Sequence, residues 1–188
     1  KKIAASLKNE KHFLTGEGSS RIFPAKKVIA DAFRHGWNGV FSTEAATQAL
    51  EYNLNTSNVY VASNSGKTKE GVRLIKSLKE SNHQNIVGVI ANDNTPIQNE
   101  SDAHYLLVCG EEKAVAATKS VVEQAIFYDI LFRAMNNAPL PDLNKLGDQI
   151  TSVLESTISS DIVDYISKSP VIYWAGRNDG VAEELALI

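Results

Sequence analysis

Asn58-Val59-Tyr60-Val61-Ala62-Ser63-Asn64-Ser65-Gly66-Lys67-Thr68-Lys69-Glu70 is the stretch that decides how this chain folds. Its first five residues are β-branched, aromatic or small, and read as a buried strand. The next six are hydroxyl, amide and glycine residues with one lysine, Lys67, and read as a turn. A helix follows to about Glu80, with Val72, Ile75 and Leu78 at helical spacing. A strand that enters a helix through a short polar turn is half of a βαβ unit, so the question is whether the pattern repeats.

It repeats on both sides. Upstream, His12–Thr15 reads as a strand, Gly16–Ser20 as a turn, and Ile22 to His35 as a helix. Gly39–Ser42 and Thr43–Tyr52 give a second strand and helix. Downstream, Asn85–Ile90 is the next strand, Asn92–Pro96 a loop, Ala103–Val108 a fifth strand, and Ala114 to Met135 a long helix. The alternation predicts an α/β domain with a five-stranded parallel sheet over residues 11 to 108 and helices on both faces. Pro139 and Pro141 then break the chain. Asp142–Ser167 reads as mostly helical, Ser169–Trp174 as a new strand, and Val181–Ile188 as a helix. Val171-Ile172-Tyr173-Trp174-Ala175-Gly176-Arg177-Asn178 weakly repeats the form of Lys11–Gly18. The expected division is a first domain at 1–138, a helical linker at 139–168 and the beginning of a second, similar domain at 169–188. Lys1 is not an initiator and the only methionine is Met135, so the chain is expected to be part of a longer one.

The 188 residues are 43% hydrophobic and 22% charged, with a net charge of −3. That balance suits a globular domain with a substantial core and argues against a nucleic-acid surface, which concentrates Lys and Arg. No apolar run approaches the ~20 residues of a membrane helix, and no signal-peptide pattern opens the chain. Cys109 is the only cysteine, so no internal disulfide forms. A cytoplasmic protein is expected.

Three turns carry candidate chemistry. Ser63-Asn64-Ser65-Gly66-Lys67-Thr68 crowds three hydroxyls before a helix start, where free N–H groups and the helix dipole favour an anion. The competing reading is an ordinary capped turn. A nucleotide P-loop is rejected, because Val61 stands where its first glycine belongs. Gly16-Glu17-Gly18-Ser19-Ser20-Arg21 fails the dinucleotide fingerprint at Arg21. Glu111–Ser120 is an alanine-rich helix start. His12, His35, His83 and His104 lack metal-like spacing, so no metal is expected; Asp93 lacks the rest of a calcium loop, and Ser63 has no nucleophile elbow. Trp37 and Trp174 read as core or interface residues.

Together and in this order, the three segments resemble the SIS (sugar isomerase) domain family. Ser63–Thr68 resembles its Ser-x-Ser-Gly-x-Thr phosphate signature, and Gly16–Ser20 resembles its Gly-x-Gly-Thr/Ser-Ser turn. Glu112–Lys119 resembles the Glu-x-x-Val-Ala-x-Thr-Lys segment of tandem-SIS enzymes such as the isomerase half of glutamine–fructose-6-phosphate aminotransferase. Ala175–Asn178 with Glu183–Leu187 resembles the opening of the second SIS domain. The resemblance implies a flavodoxin-like three-layer α/β/α sandwich. It implies phosphate binding by Ser63, Asn64, Ser65 and Thr68, with Asn64 acting through its backbone. It implies substrate contacts from Gly18, Ser19, Ser20, Val115 and Ala117. Ala117 stands where the family often has serine, and Glu17 where aminotransferases often have a small residue or cysteine.

The implied activity is cofactor-free C1–C2 proton transfer on a hexose 6-phosphate or similar, by an aldose–ketose isomerase or an amino-sugar-phosphate isomerase, deaminase or aminotransferase domain. The proton-shuttling glutamate is implied to follow Ile188, so residues 1–188 alone are expected to be inactive. The implied partners are a small sugar phosphate and further copies of the chain, as a homodimer or higher oligomer, with neither nucleic acid nor membrane. The alternative is a non-catalytic phosphosugar sensor, which usually carries a helix-turn-helix segment; none is visible.

Overall fold

The computed structural model describes residues 3, 4, 7, 10–110, 112, 113 and 116–187. Five strands form one sheet: β1 (Lys11–Gly16), β2 (Val40–Ala45), β3 (Ser57–Ser63), β4 (Ile86–Ile90) and β5 (Ala103–Leu106). All are parallel, in the order β2-β1-β3-β4-β5. The helices are α1 (Ile22–His35), α2 (Ala46–Ala49), α3 (Lys69–Glu80), α4 (Pro96–Glu100), α5 (Lys119–Met135), α6 (Leu143–Leu154), α7 (Ser160–Lys168) and α8 (Val181–Leu187). The sequence-predicted flavodoxin-like parallel sheet is therefore present.

Alternation along the strands builds the layers. On β3, Tyr60 and Ala62 face one side and Val59 and Val61 the other, as the two-residue period of a strand requires. Tyr60 and Ala62 join Leu14, Val28 of α1, and Tyr128 and Phe132 of α5 in one core. Val59 and Val61 join Phe13, Ala46 of α2, Leu74 and Ile75 of α3, and Ile97 of α4 in the other. Every residue of β3 is buried, the mark of a central parallel strand covered on both faces.

Several boundaries differ from the sequence reading. Thr43, Glu44 and Ala45, expected in a helix, pair with Leu14, Thr15 and Gly16, and the second helix shrinks to Ala46–Ala49. Ladder bonds along β1 outweigh a short helix of modest propensity. The expected loop Asn92–Pro96 ends in a short helix, Pro96–Glu100, which the sequence reading did not assign, with Thr95 ahead of it and the Thr95 N–H donating to Gln98 Oε1 at 3.4 Å. The long helix begins at Lys119 rather than Ala114; Glu111, Ala114 and Val115 lie outside the described residues. The helical 142–167 stretch is two helices, α6 and α7, neither with a buried residue. Ser169–Trp174, expected as a strand, is irregular. A strand needs a neighbouring ladder, and this segment has none in the sheet.

Candidate functional site

The chain runs outward from β1 in both directions: β2 lies on one side and β3 on the other. In such a sheet the helices after β1 and β3 lie on opposite faces, and a crevice opens beyond their carboxyl ends. The two serine-rich turns leave β1 and β3 at this point. They approach closely: a Cβ added at Gly16 would stand 2.6 Å from the Ala62 carbonyl oxygen and 3.4 Å from the Ser20 Cβ. Glycine at position 16 is thus what lets Ser20 settle beside the end of β3.

Ser63 is the last residue of β3 and is buried. Its hydroxyl lies 2.7 Å from Thr68 Oγ1 and 3.4 Å from Ser65 Oγ, and accepts from the Gly66 N–H at 3.1 Å. Ser65 Oγ accepts from the Lys67 N–H at 3.2 Å. The Asn64 carbonyl accepts from the Ala91 N–H and from Asn92 Nδ2, which ties the loop to the end of β4. The Asn64 side-chain amide nitrogen is buried and has no partner among the described residues. Gly66 has φ +65°, and its Cα hydrogen faces the Thr95 side chain where any Cβ would collide. The loop therefore draws the hydroxyls of residues 63, 65 and 68 together just ahead of α3.

Thr68 holds the N-cap position of α3, yet its side chain makes no capping bond. Its hydroxyl is turned to Ser63 instead. The first helical bond is Val72 N–H to the Thr68 carbonyl, so the N–H groups of the first turn, residues 69–71, precede the helical ladder. Lys67 and Lys69 flank the opening and are exposed. Capping, the competing reading of these hydroxyls, does not describe Thr68.

Gly18–Ser20 forms a single 3₁₀ turn, with Gly18 at φ +53°. Ser19 and Ser20 are half-buried. The Glu17 carboxylate accepts from the Thr47 N–H and hydroxyl at the start of α2. Gln124 on α5 reaches the turn, with Nε2 3.5 Å from Ser20 Oγ. In the third segment, Glu112 Oε2 accepts from Thr118 N–H, Ser120 N–H and Ser120 Oγ, at 3.1–3.2 Å. Its carboxylate takes the place of a cap on α5, whose N-cap Thr118 makes no side-chain capping bond. Burial pushes the Glu112 carboxyl up, but the backbone N–H groups of Ser120 and Thr118, the Ser120 hydroxyl and the Lys119 charge together hold its pKa below the usual carboxylate range. Ala117 is half-buried in this tied-down segment; Val115 lies outside the described residues.

Two residues that the sequence reading did not assign stand out. Gln124 is wholly buried on α5. Glu184 is only 7% exposed, on α8, and neither carboxylate oxygen has a partner among the described residues. Helix α8 packs against α1 and the 3₁₀ turn, held by Lys26–Glu183 and Arg34–Asp179 ion pairs. A glutamate inside an amphipathic helix gives no sequence sign of being buried. His12 is a packing residue, stacked on Phe41 and bonded to the Tyr60 hydroxyl at 2.9 Å. Burial pushes its imidazole down to about 4. Among the described residues no cluster of three His, Cys, Asp or Glu could hold a metal, and no helix is long and apolar enough to cross a membrane.

Fold and turns define the class: the SIS-domain profile matches residues 11–134, and the chain belongs to that family. Comparison with curated proteins found no significant match. Among solved structures, the chain is similar to the C-terminal domain of glucosamine-fructose-6-phosphate aminotransferase from Francisella tularensis. That pair shares 20% identity and a TM-score of 0.61 over 81% of this chain and 44% of the other. A Silicibacter pomeroyi DSS-3 protein, provisionally described as a phosphosugar isomerase, shares 20% identity with a TM-score of 0.62, over 72% of this chain and 43% of its own. E. coli CFT073 c3406, solved in complex with A5P, shares 19% identity with a TM-score of 0.59, over 72% and 73%. The chain spans less than half the length of the first two, and at these identities the likeness is one of fold.

Proposed function

We propose that the crevice between β1 and β3 binds a sugar phosphate, and that the protein is an aldose–ketose or amino-sugar-phosphate isomerase acting by proton transfer between C1 and C2. The observation that carries this reading is the Thr68 hydroxyl, which leaves the cap of α3 unmade and turns to Ser63 Oγ, itself 3.4 Å from Ser65 Oγ, just ahead of the helix N-terminus. A phosphate there meets hydroxyl donors, backbone N–H groups and the positive end of the dipole at once. Ser63, Ser65 and Thr68 hold it with the Asn64 backbone. Ser19 and Ser20 of the 3₁₀ turn, with Gly18, and Val115 and Ala117 ahead of α5 contact the sugar.

Binding the phosphate far from C1 and C2 fixes the open-chain sugar for proton transfer. The transfer needs a carboxylate able to take and return one proton. The family resemblance puts this group past Ile188. Glu184 is a further carboxylate that this chain itself carries beside the 3₁₀ turn. Residues 169–187 would then open a second unit of the same kind.

The test is exchange of the C2 proton. The full-length protein is incubated in D₂O with fructose 6-phosphate and with glucose 6-phosphate, and the sugars are read by proton NMR. Deuterium at C2 of the aldose supports the reading. Tight sugar-phosphate binding with no exchange leaves a sensor.

A further inference from the structure

Gln124 is the buried polar side chain that reaches the 3₁₀ turn from α5. Gln124 is completely buried in the middle of α5, yet its amide has a single hydrogen-bond contact, Nε2 to Ser20 Oγ at 3.5 Å. Its Oε1 has no partner among the described residues. One turn further on, the Tyr128 hydroxyl is also buried and unpartnered. Burying an unsatisfied polar atom costs stability, typically ~1–3 kcal/mol, and an apolar side chain of the same size would avoid the cost. The fold therefore gains little from this amide, while Ser20 gains an orientation.

We propose that Gln124 is a positioning residue that sets the direction of the Ser20 hydroxyl hydrogen. This rests on the reading that the crevice binds a sugar phosphate. A serine hydroxyl has one hydrogen and two lone pairs. When the Gln124 amide donates to Ser20 Oγ, one lone pair is used and the hydrogen cannot point at Gln124. Ser20 Cβ is packed over Gly16 beside the end of β3, so the side chain is fixed from below. The hydrogen is left for an acceptor in the crevice, an oxygen of the sugar phosphate. Gln124 does this without touching the ligand, from a helix held against the 3₁₀ turn and α1.

The proposal gives stability and affinity opposite signs. Gln124→Met conserves volume and removes the buried amide, so thermal unfolding should be unchanged or shifted upward. Affinity for fructose 6-phosphate, measured by calorimetry on the full-length protein, should fall about three- to tenfold, the range of one hydrogen bond. Ser20→Ala should cause a similar fall, and Gln124→Met should add almost nothing in the Ser20→Ala background. Should Gln124→Met not fold, Gln124→Asn keeps an amide but draws it back from Ser20, and the same loss is expected. Equal losses from Gln124→Met in both backgrounds, or an unchanged affinity, overturn the role of Gln124 while leaving the phosphate site standing. A wild-type protein that does not distinguish fructose 6-phosphate from fructose overturns the site and this role together.

Discussion

Gly66→Ala tests the loop geometry with a magnitude that can be worked out residue by residue. Gly66 sits at φ +65°, a region that costs a non-glycine residue about 1–2 kcal/mol. Its added Cβ would stand 2.3 Å from Thr95 Oγ1, 2.6 Å from Thr95 Cβ and 2.8 Å from Thr95 Cγ2. Thr95 cannot swing away freely: it is 1% exposed, stiff at χ1, and precedes α4. Overpacking of this kind adds about 1–3 kcal/mol, for a total of about 2–5 kcal/mol. Gly18→Ala is the matched control, because Gly18 has φ +53° and nothing within 4 Å of its would-be Cβ. It should show only the backbone cost. Urea denaturation of both variants beside wild type reads the difference as a shift in midpoint at constant slope. If Gly66→Ala costs no more than Gly18→Ala, the loop is not pressed against Thr95 and the account of how residues 63–68 are shaped fails.

Three further outcomes follow from titratable side chains. Glu184→Met, which removes the unpartnered buried oxygens at similar volume, should raise stability by about 1–2 kcal/mol; a drop in melting temperature would show that the glutamate makes a stabilising contact. His12 titrates near 4 when folded against 6.5 as the ordinary value, so the unfolded chain binds more protons between those limits. Stability should be complete above pH 6.5 and decline as pH falls toward 4, and His12→Phe should flatten that decline in a set of melting curves. Glu112, with its pKa depressed, should contribute stability above 4.5 and lose it as pH falls further; Glu112→Gln should remove that lower-pH component.

The sheet was legible because β3 is apolar on both faces and because strands and helices alternate with turn residues between them. The serine turns were legible because hydroxyls and glycine are concentrated at strand–helix junctions. What stayed hidden is relational. Whether Thr68 caps its helix or turns to Ser63 depends on the path of the loop around Gly66 and Thr95, which are 29 positions apart in sequence and in contact in space. Gln124 looks like any polar residue of a long helix until α5 is laid against the 3₁₀ turn. Thr43–Ala45 read as helix because the ladder offered by β1 is not visible locally. Val171 to Trp174 have strand composition but no partner strand, and composition alone does not supply one.

The central claim, that the hydroxyls of residues 63, 65 and 68 form a phosphate cradle, is tested most directly by calorimetric titration of fructose 6-phosphate and fructose into wild type and Ser65→Ala. Ser65 is exposed, and its hydroxyl accepts from the Lys67 N–H and lies 3.4 Å from Ser63 Oγ, so the substitution should change melting little. Wild type should strongly prefer the phosphorylated sugar, and Ser65→Ala should weaken its binding roughly tenfold, the worth of one charge-assisted bond of ~1.5 kcal/mol, with no change for fructose. Equal affinity of wild type for the two sugars, or a Ser65→Ala variant that melts lower but binds as before, would contradict it.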